Sequence, residues 1–314
     1  MKPALLGTLM LLGPVALSAQ SSSALLPRMR AAPLPVERRD ELARLFAAKD
    51  YSRVEDILSR QAAAADTPAN GAELRALDGA VEFLHGHMDR AVIAFRQSDA
   101  LVPLADPDRF TLAMALVNLG DAAAAREQLT RLSDSHPDRP LYLYWLGRIA
   151  YDRRMYAEAV TTLKRVVALD PASARAYDSL GLALDMLGQP EDARQAFLKS
   201  VDLNRKLAQP SAWPPHDFGS LLLRLQDLKE AESALREALR YDPAFAMAHY
   251  HLGRALEAQS RDSEAIEEYH AATLHDPVLE AFYSLGLLYR RHGRGPEAEA
   301  AFAAYKKRKI ESPR

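Results

Sequence analysis

Seven alanines recur along this chain at a nearly constant spacing, and no other feature of the sequence constrains the fold as strongly. They are Ala91, Ala125, Ala159, Ala193, Ala231, Ala265 and Ala298. Successive members are separated by 34, 34, 34, 38, 34 and 33 residues. A period of this length is typical of proteins built from stacked copies of one small unit. We therefore expect an array of similar units.

Two further residue series run in register with the alanines. A small residue precedes each alanine by twelve positions: Gly79, Ala113, Gly147, Gly181, Gly219, Gly253 and Gly286. A large apolar residue follows each alanine by four positions: Phe95, Leu129, Leu163, Phe197, Leu235, Tyr269 and Phe302. Each unit is therefore predicted to be two helices, such as 141–153 and 156–169. Their backbones would approach at the small residues, and the large residue would fill the space between layers.

Prolines mark the ends of most units. They are Pro103, Pro137, Pro171, Pro243 and Pro277. Because the proline ring cannot continue a helix, each one ends a unit and sets the direction of the next. An ordinary helical bundle with accidental spacing is the alternative, and three series in register argue against it.

The units resemble the tetratricopeptide repeat (TPR) family. The stretch 143–147, Leu-Tyr-Trp-Leu-Gly, with Tyr156 and Asp170-Pro171, follows that family's repeat position by position. The family's structural positions fall on Gly147, Ala159, Gly181, Ala193, Gly253, Ala265, Gly286 and Ala298, and less clearly on Gly219 and Ala231. The resemblance implies an all-α fold: an α-solenoid, a right-handed superhelix of stacked helix-turn-helix repeats.

The predicted domain organisation follows from these copies. A degenerate first repeat is expected at 37–68, with Asp50-Tyr51 at its turn. Seven repeats follow, at about 72–105, 106–139, 140–173, 174–207, 212–245, 246–278 and 279–312. The longer step at 204–217 contains Pro210, Pro214 and Pro215 and the exposed-looking Trp213, and it predicts a loop, structural or acting as a flap.

The N-terminus is typical of an export signal. Lys2 precedes an apolar run over 4–17, and the small residues Ser18 and Ala19 follow. This arrangement predicts a cleaved signal peptide at 1–19 and a periplasmic or secreted protein. The alternative is an inner-membrane anchor formed by residues 4–19. The Ser- and Pro-containing segment 20–36 is predicted to be a flexible tether.

The amino-acid composition limits the classes of function and of structure to be considered. The formal net charge is −2, which gives no general reason to expect nucleic-acid binding. The chain contains no cysteine, so neither disulfides nor a lipid-modified cysteine can form. Hydrophobic residues make up 48% of the chain and aromatic residues 7%, which suits helices packed through alanine and leucine.

No catalytic pattern is visible in the sequence. The pair His85 and His87 lies at a turn between helices and lacks an obvious third metal ligand. His249 and His251 are two apart in a predicted helix, so they should face different directions. We therefore predict no enzyme activity, no cofactor and no metal site.

The resemblance implies that partners bind along the first helix of each repeat, which lines the concave groove in that family. The residues at the corresponding positions are Tyr144, Arg148, Tyr151, Asp178, Asp185, His216, Tyr250, Arg254, Glu257, Tyr283 and Arg290. Tyrosine and arginine are frequent binding anchors because they combine contact area with directed hydrogen bonds. The lysine–asparagine cluster of the family's chaperone-tail binders does not occur here.

The predicted function is a non-enzymatic scaffold or adaptor of the bacterial cell envelope that binds a peptide or protein in this groove. The alternatives are an accessory subunit of an envelope assembly or secretion machine, or a module that binds envelope glycans. No small-molecule substrate is evident. The alanine-rich C-terminal repeat also makes a homodimer through this repeat possible.

Overall fold

The computed structural model describes residues 22–274 and 278–311, with side chains from residue 24. All regular structure in these ranges is helical. The helices are α1 Ser22–Ala31, α2 Val36–Ala47, α3 Tyr51–Ala63, α4 Pro68–His85, α5 Met88–Asp99, α6 Asp106–Asn118, α7 Ala122–Ser135, α8 Pro140–Asp152, α9 Tyr156–Leu169, α10 Ala174–Met186, α11 Pro190–Asn204, α12 Trp213–Arg224, α13 Leu228–Tyr241, α14 Ala246–Ala258, α15 Asp262–Ala271, α16 Leu279–Arg291 and α17 Gly295–Glu311. The predicted signal segment lies outside the described residues.

From α2 to α17 the helices follow one another as eight helix-turn-helix units. Each internal turn holds one residue in the left-handed conformation: Lys49, Gly86, Gly120, Arg154, Gly188, Gln226, Ser260 and Gly293. These residues repeat at the same interval as the alanines, and Lys49 extends the series to α2 and α3. A left-handed residue after a helix satisfies its last carbonyl groups and reverses the chain. The predicted first copy at 37–68 thus has the same local architecture as the others.

The chain divides into two compact units, which within the described residues are 22–152 and 153–311. In the N-terminal unit, α4 packs against both α3 and α5, and also contacts the first helix of the next repeat, α6. In the C-terminal unit α11, α13 and α15 each pack between two first helices, while α12 contacts both α10 and α14. These contacts place the side chains of α4 beside those of α6, and the side chains of α12 beside those of α10 and α14.

The series of small residues has a specific packing role. A Cβ atom added at Gly181 would lie 2.8 Å from ring atoms of Phe197, and one at Gly253 would lie 2.7 Å from the ring of Tyr269. The large apolar residue therefore lies across the glycine of its own helix pair, rather than between layers as the sequence suggested. The predicted close approach of backbones is visible at Gly219, where the added Cβ would lie 3.3 Å from the carbonyl oxygen of Ala231.

The seven alanines form the buried centre of the units. Ala298 is 4% exposed, and the other six are fully buried. A larger side chain at these sites would separate the two helices of a pair. Each alanine in the series therefore marks one close contact between two helices.

The segment predicted to be a flexible tether is instead partly helical. Leu25 and Met29, one turn apart on α1, are fully buried, and α1 packs against α2 and α4. Arg28 donates two hydrogen bonds to the buried carboxylate of Asp108, at 2.8 and 2.9 Å. The tether prediction was wrong for residues 22–31 because these apolar positions suit one face of a helix that the N-terminal unit covers.

The insertion near residue 204 is a shorter loop than predicted. It comprises residues 205–212, since Pro214 and Pro215 lie in the first turn of α12, where a missing amide proton costs no helical hydrogen bond. Asn204 closes the loop with two hydrogen bonds to the backbone of Ser211, at 2.8 and 2.9 Å. Trp213 is half-buried, its ring centroid 4.7 Å from that of Phe245. The packing supports the structural role over the flap.

Among the helices that the structure describes, none combines the length and the apolar character required to cross a membrane.

Candidate peptide-binding surface

All the predicted groove residues lie on first helices. Tyr144, Arg148 and Tyr151 are on α8 in the N-terminal unit. In the C-terminal unit, Asp178 and Asp185 are on α10 and His216 is on α12. The remaining five are Tyr250, Arg254 and Glu257 on α14 and Tyr283 and Arg290 on α16.

Four of these residues are too buried to serve as contact points. Tyr144, Arg148, Asp178 and His216 are 8%, 7%, 7% and 5% exposed. The sequence pattern identifies a helix position but not the neighbours that cover it. For these four side chains, the prediction of an open contact surface therefore needs correction.

His216 instead pairs with a second histidine, the half-buried His251. Its Nδ1 lies 2.7 Å from Oδ1 of Asp217, and its Nε2 lies 3.0 Å from Nδ1 of His251. The simplest consistent assignment is that His251 donates to His216, which donates in turn to the Asp217 carboxylate. The two rings are stacked, with centroids 5.0 Å apart.

Burial sets the protonation of both imidazoles. It lowers the pKa of His216 to about 4. Burial, then the nearby His216 and Arg254, lower the pKa of His251 to about 3. Both rings are therefore neutral at pH 7, although Asp217 accepts a hydrogen bond from one of them.

On α14 the predicted residues form one face. Arg254 is exposed, and its guanidinium carbon lies 5.9 Å from the centre of the Tyr250 ring. One turn further, Glu257 accepts a hydrogen bond from the Tyr269 hydroxyl at 2.8 Å and another from Arg291 of α16 at 3.2 Å. Glu257 thus ties α14 to α16 and orients their neighbouring faces.

The corresponding face of α16 is open and apolar. Tyr283 is 47% exposed and Leu287, one turn further, is 37% exposed. Arg290 continues the same face, with its guanidinium carbon 5.8 Å from the centre of the Phe302 ring. Met247 on α14 is also exposed, one turn before Tyr250.

We name the α14/α16 surface by its residues, which are Met247, Tyr250, Arg254, Tyr283, Leu287 and Arg290. Sequence reasoning missed Met247 and Leu287, although their helical spacing from the two tyrosines was a usable signal.

This surface carries unpaired positive charge. In residues 22–274 and 278–311, neither Arg254 nor Arg290 forms an ion pair, whereas Asp185 is paired with Arg224. An arginine beside exposed apolar groups can bind a carboxylate through a charge-assisted hydrogen bond while the apolar groups bury a partner's side chain. The arrangement suits a peptide with both features.

The histidine pairs differ from each other. His249 hydrogen-bonds to Glu268 at 2.6 Å and His251 to His216, so this pair points to different neighbours as predicted. For His85 and His87 the structure supplies what the sequence lacked. Glu55 of α3 brings a third ligand atom within 4.8 Å of the two imidazoles.

Three carboxyl groups lie near one another in this region, and two of them, Glu55 and Glu82, contact the imidazoles. They belong to Glu55, Asp78 and Glu82, and Oδ1 of Asp78 is buried without a hydrogen-bond partner in the described structure. Burial, then the charges of Glu82 and Glu55, raise the pKa of Asp78 to about 7. The cluster therefore holds a local excess of negative charge.

Comparison with known proteins identifies the family of these helix pairs. The profile of the Tetratricopeptide repeat matches residues 110–174, 148–208, 216–276 and 263–313, which together make up more than half of the chain.

Individual relatives cover the chain to different extents. The type IV pilus assembly protein PilF of Pseudomonas aeruginosa is 26% identical over 209 residues, which are 65% of this chain and 78% of PilF. Protein bimA of Emericella nidulans is 26% identical over 172 residues, 54% of this chain but only 21% of bimA. This chain thus spans about a fifth of bimA.

The fold is shared with a solved structure. The crystal structure of a tetratricopeptide repeat protein from Parabacteroides merdae matches 84% of this chain and 98% of its own, with a TM-score of 0.63 at 14% identity. The family's members are protein-interaction scaffolds that are in general non-enzymatic. The chain belongs to the tetratricopeptide repeat family.

Proposed function

We propose that this protein is an adaptor that binds a peptide or protein segment on the α14/α16 surface. The observation that carries the proposal is the combination of exposed Tyr283 and Leu287 with the unpaired cations Arg254 and Arg290. The fitting segment carries a carboxylate beside an apolar side chain. Arg148 is not part of this surface, because it is buried on α8.

A binding experiment with substitutions tests this surface. Peptides selected from a displayed random library against the full chain provide the probe, and fluorescence anisotropy measures their affinity. We expect Arg254→Ala or Tyr283→Ala to weaken binding by at least ~2 kcal/mol, about 30-fold, as for a hot-spot residue.

The matched control is Arg165→Ala, which removes an exposed arginine from the second helix α9. The control variant should bind the selected peptides with the affinity of the unmodified chain. Circular dichroism should show that all three variants are as helical as the unmodified chain. Equal affinity for Arg254→Ala, Tyr283→Ala and the control would exclude this surface.

We further propose that the adaptor works in the bacterial envelope. The support is the Lys2-plus-apolar segment and the similarity to a pilus assembly protein over 65% of the chain. That similarity favours an assembly-machine subunit over a glycan-binding module. N-terminal sequencing of protein from the periplasm or medium should begin near Gln20. An intact Met1 end on cytosolic protein would contradict export, and one on membrane-bound protein would indicate the anchor.

The expected homodimer through the C-terminal repeat stays a prediction. On α17, Ala300 and Ala303 are exposed while Ala301 and Ala304 are half-buried. Small exposed residues permit close helix contact, but they do not by themselves select a second copy as the partner.

A further inference from the structure

A mixed cluster of carboxylates and imidazoles lies where α3 meets the turn between α4 and α5. His85 is the last residue of α4, and His87 precedes the first residue of α5. Between them Gly86 adopts a φ of 91°, which is accessible to glycine at little cost. This turn brings the two imidazole centroids to 4.2 Å, whereas residues two apart in a continuous helix would point away from each other.

Carboxylate oxygens face both rings from the inner side. Oε1 of Glu55 lies 2.7 Å from Nδ1 of His85 and 3.9 Å from Nδ1 of His87. Oε2 of Glu82 lies 2.8 Å from the same Nδ1 of His87. Ligand atoms of Glu55, His85 and His87 thus lie within 4.8 Å of one another, and the carboxylate of Glu82 lies beside His87.

The separations suit a tetrahedral metal ion. Ligands at the usual zinc–nitrogen and zinc–oxygen distances of about 2.0–2.2 Å lie about 3.4 Å from one another. The Glu55 oxygen lies 2.7 Å from Nδ1 of His85 and 3.9 Å from Nδ1 of His87, on either side of that value. Shifts of the imidazole nitrogens by about 0.5–0.7 Å relative to the Glu55 oxygen would therefore admit an ion.

Charge and access also favour a cation. Glu55 and Glu82 are 8% and 6% exposed, and the facing arginine, Arg90, lies 3.9 Å from Glu82. The side chains of His85 and His87 are 32% and 37% exposed, so the outer side of the cluster is open to solvent. A divalent ion could enter there and balance the buried carboxylates.

We propose that Glu55, His85 and His87 form a binding site for a divalent transition-metal ion of the zinc class, with Glu82 beside His87 as a neighbouring negative charge. Two imidazole nitrogens with one carboxylate oxygen are donors that zinc accepts readily, whereas calcium and magnesium prefer oxygen alone. The bound ion would join α3 to the α4–α5 turn and stiffen the N-terminal unit. The proposal is independent of the peptide-binding surface.

The site is tested by calorimetry. The full, tag-free chain is first treated with a chelator, and zinc chloride is then titrated into it. We expect one zinc ion per chain with micromolar or tighter affinity and a higher melting temperature with zinc than without. His85→Ala and His87→Ala should each weaken binding at least about tenfold, since even losses among the residues that orient metal ligands cost 10–100-fold.

The matched control is His292→Ala, because His292 also pairs with a carboxylate, Asp262, at 2.7 Å but has no second imidazole beside it. It should bind zinc like the unmodified chain. Circular dichroism checks that each variant is folded. If an alanine variant does not fold, His87→Gln is tested in its place. Absence of saturable zinc binding, or unchanged affinity in folded His85 and His87 variants, would overturn the proposal.

Discussion

Gly181→Leu should prevent the chain from reaching its native packing. The first added carbon would lie 2.8 Å from the ring of Phe197, which is 1% exposed and has no free space to move into. Overpacking by single methylene groups already costs about 1–3 kcal/mol, so we expect a loss of at least ~3 kcal/mol. That is a large share of the ~5–15 kcal/mol that stabilises a typical domain. Urea unfolding followed by circular dichroism at 222 nm measures it.

The same substitution at Gly295 is the matched control. No atom lies within 4 Å of a Cβ built at Gly295, so Gly295→Leu should change the free energy of unfolding by less than about 1 kcal/mol. Combining Gly181→Leu with Phe197→Ala should recover part of the loss, because the truncated ring vacates the volume that leucine needs. Equal unfolding midpoints for the Gly181 and Gly295 variants would show that the glycine is not a packing requirement.

Acid should destabilise the C-terminal unit through the paired histidines His216 and His251. The folded pKa values of about 4 and about 3 for His216 and His251 are lower than the ordinary value of 6.5. The folded chain therefore binds fewer protons than the unfolded chain below pH 6.5, and stability falls as the pH falls. The stability that depends on the two neutral histidines is fully present above pH ~6.5 and is lost progressively as the pH falls towards ~3.

The expected loss between pH 7 and pH 4.5 is about 3–5 kcal/mol for the two coupled rings, because one pKa unit corresponds to about 1.4 kcal/mol. Urea unfolding at the two pH values measures it. Asp217 opposes the effect by accepting a hydrogen bond from His216, whereas the positive charge of Arg254 reinforces it at His251.

A double variant separates this effect from the titration of carboxylates, which occurs in every variant. His216→Leu combined with His251→Leu should reduce the loss of stability between pH 7 and pH 4.5 by about the same 3–5 kcal/mol. His292→Gln removes an exposed histidine and should leave the pH dependence unchanged. If the folded double variant were as sensitive to acid as the unmodified chain, the paired histidines would not be the cause.

Much of the fold was already predictable from the chain. The alanine series at intervals of about 34 residues predicted seven of the eight helix pairs and the order of first and second helices, because a buried contact between two helices tolerates only small residues. The same spacing identified the first helices, on which every proposed binding residue lies. Helix propensity and side-chain volume depend only on short segments of the chain, so both can be assessed from a single sequence.

Contacts between distant segments required the tertiary structure. It buried Tyr144, Arg148, Asp178 and His216, and it packed Leu25 and Met29 of the expected tether onto α2 and α4. Such burial depends on which helices become neighbours, which the repeat pattern does not encode for each side chain.

The cluster around His85 shows the same division. Sequence spacing alone showed two histidines at a turn and no third ligand. Glu55 is 30 residues earlier and approaches only because α3 packs against α4. The sequence by itself determined the helix pairs, since their causes are local and periodic. Only the tertiary structure decided which polar groups meet, because the free energy of burying a charge depends on all the neighbours that replace water.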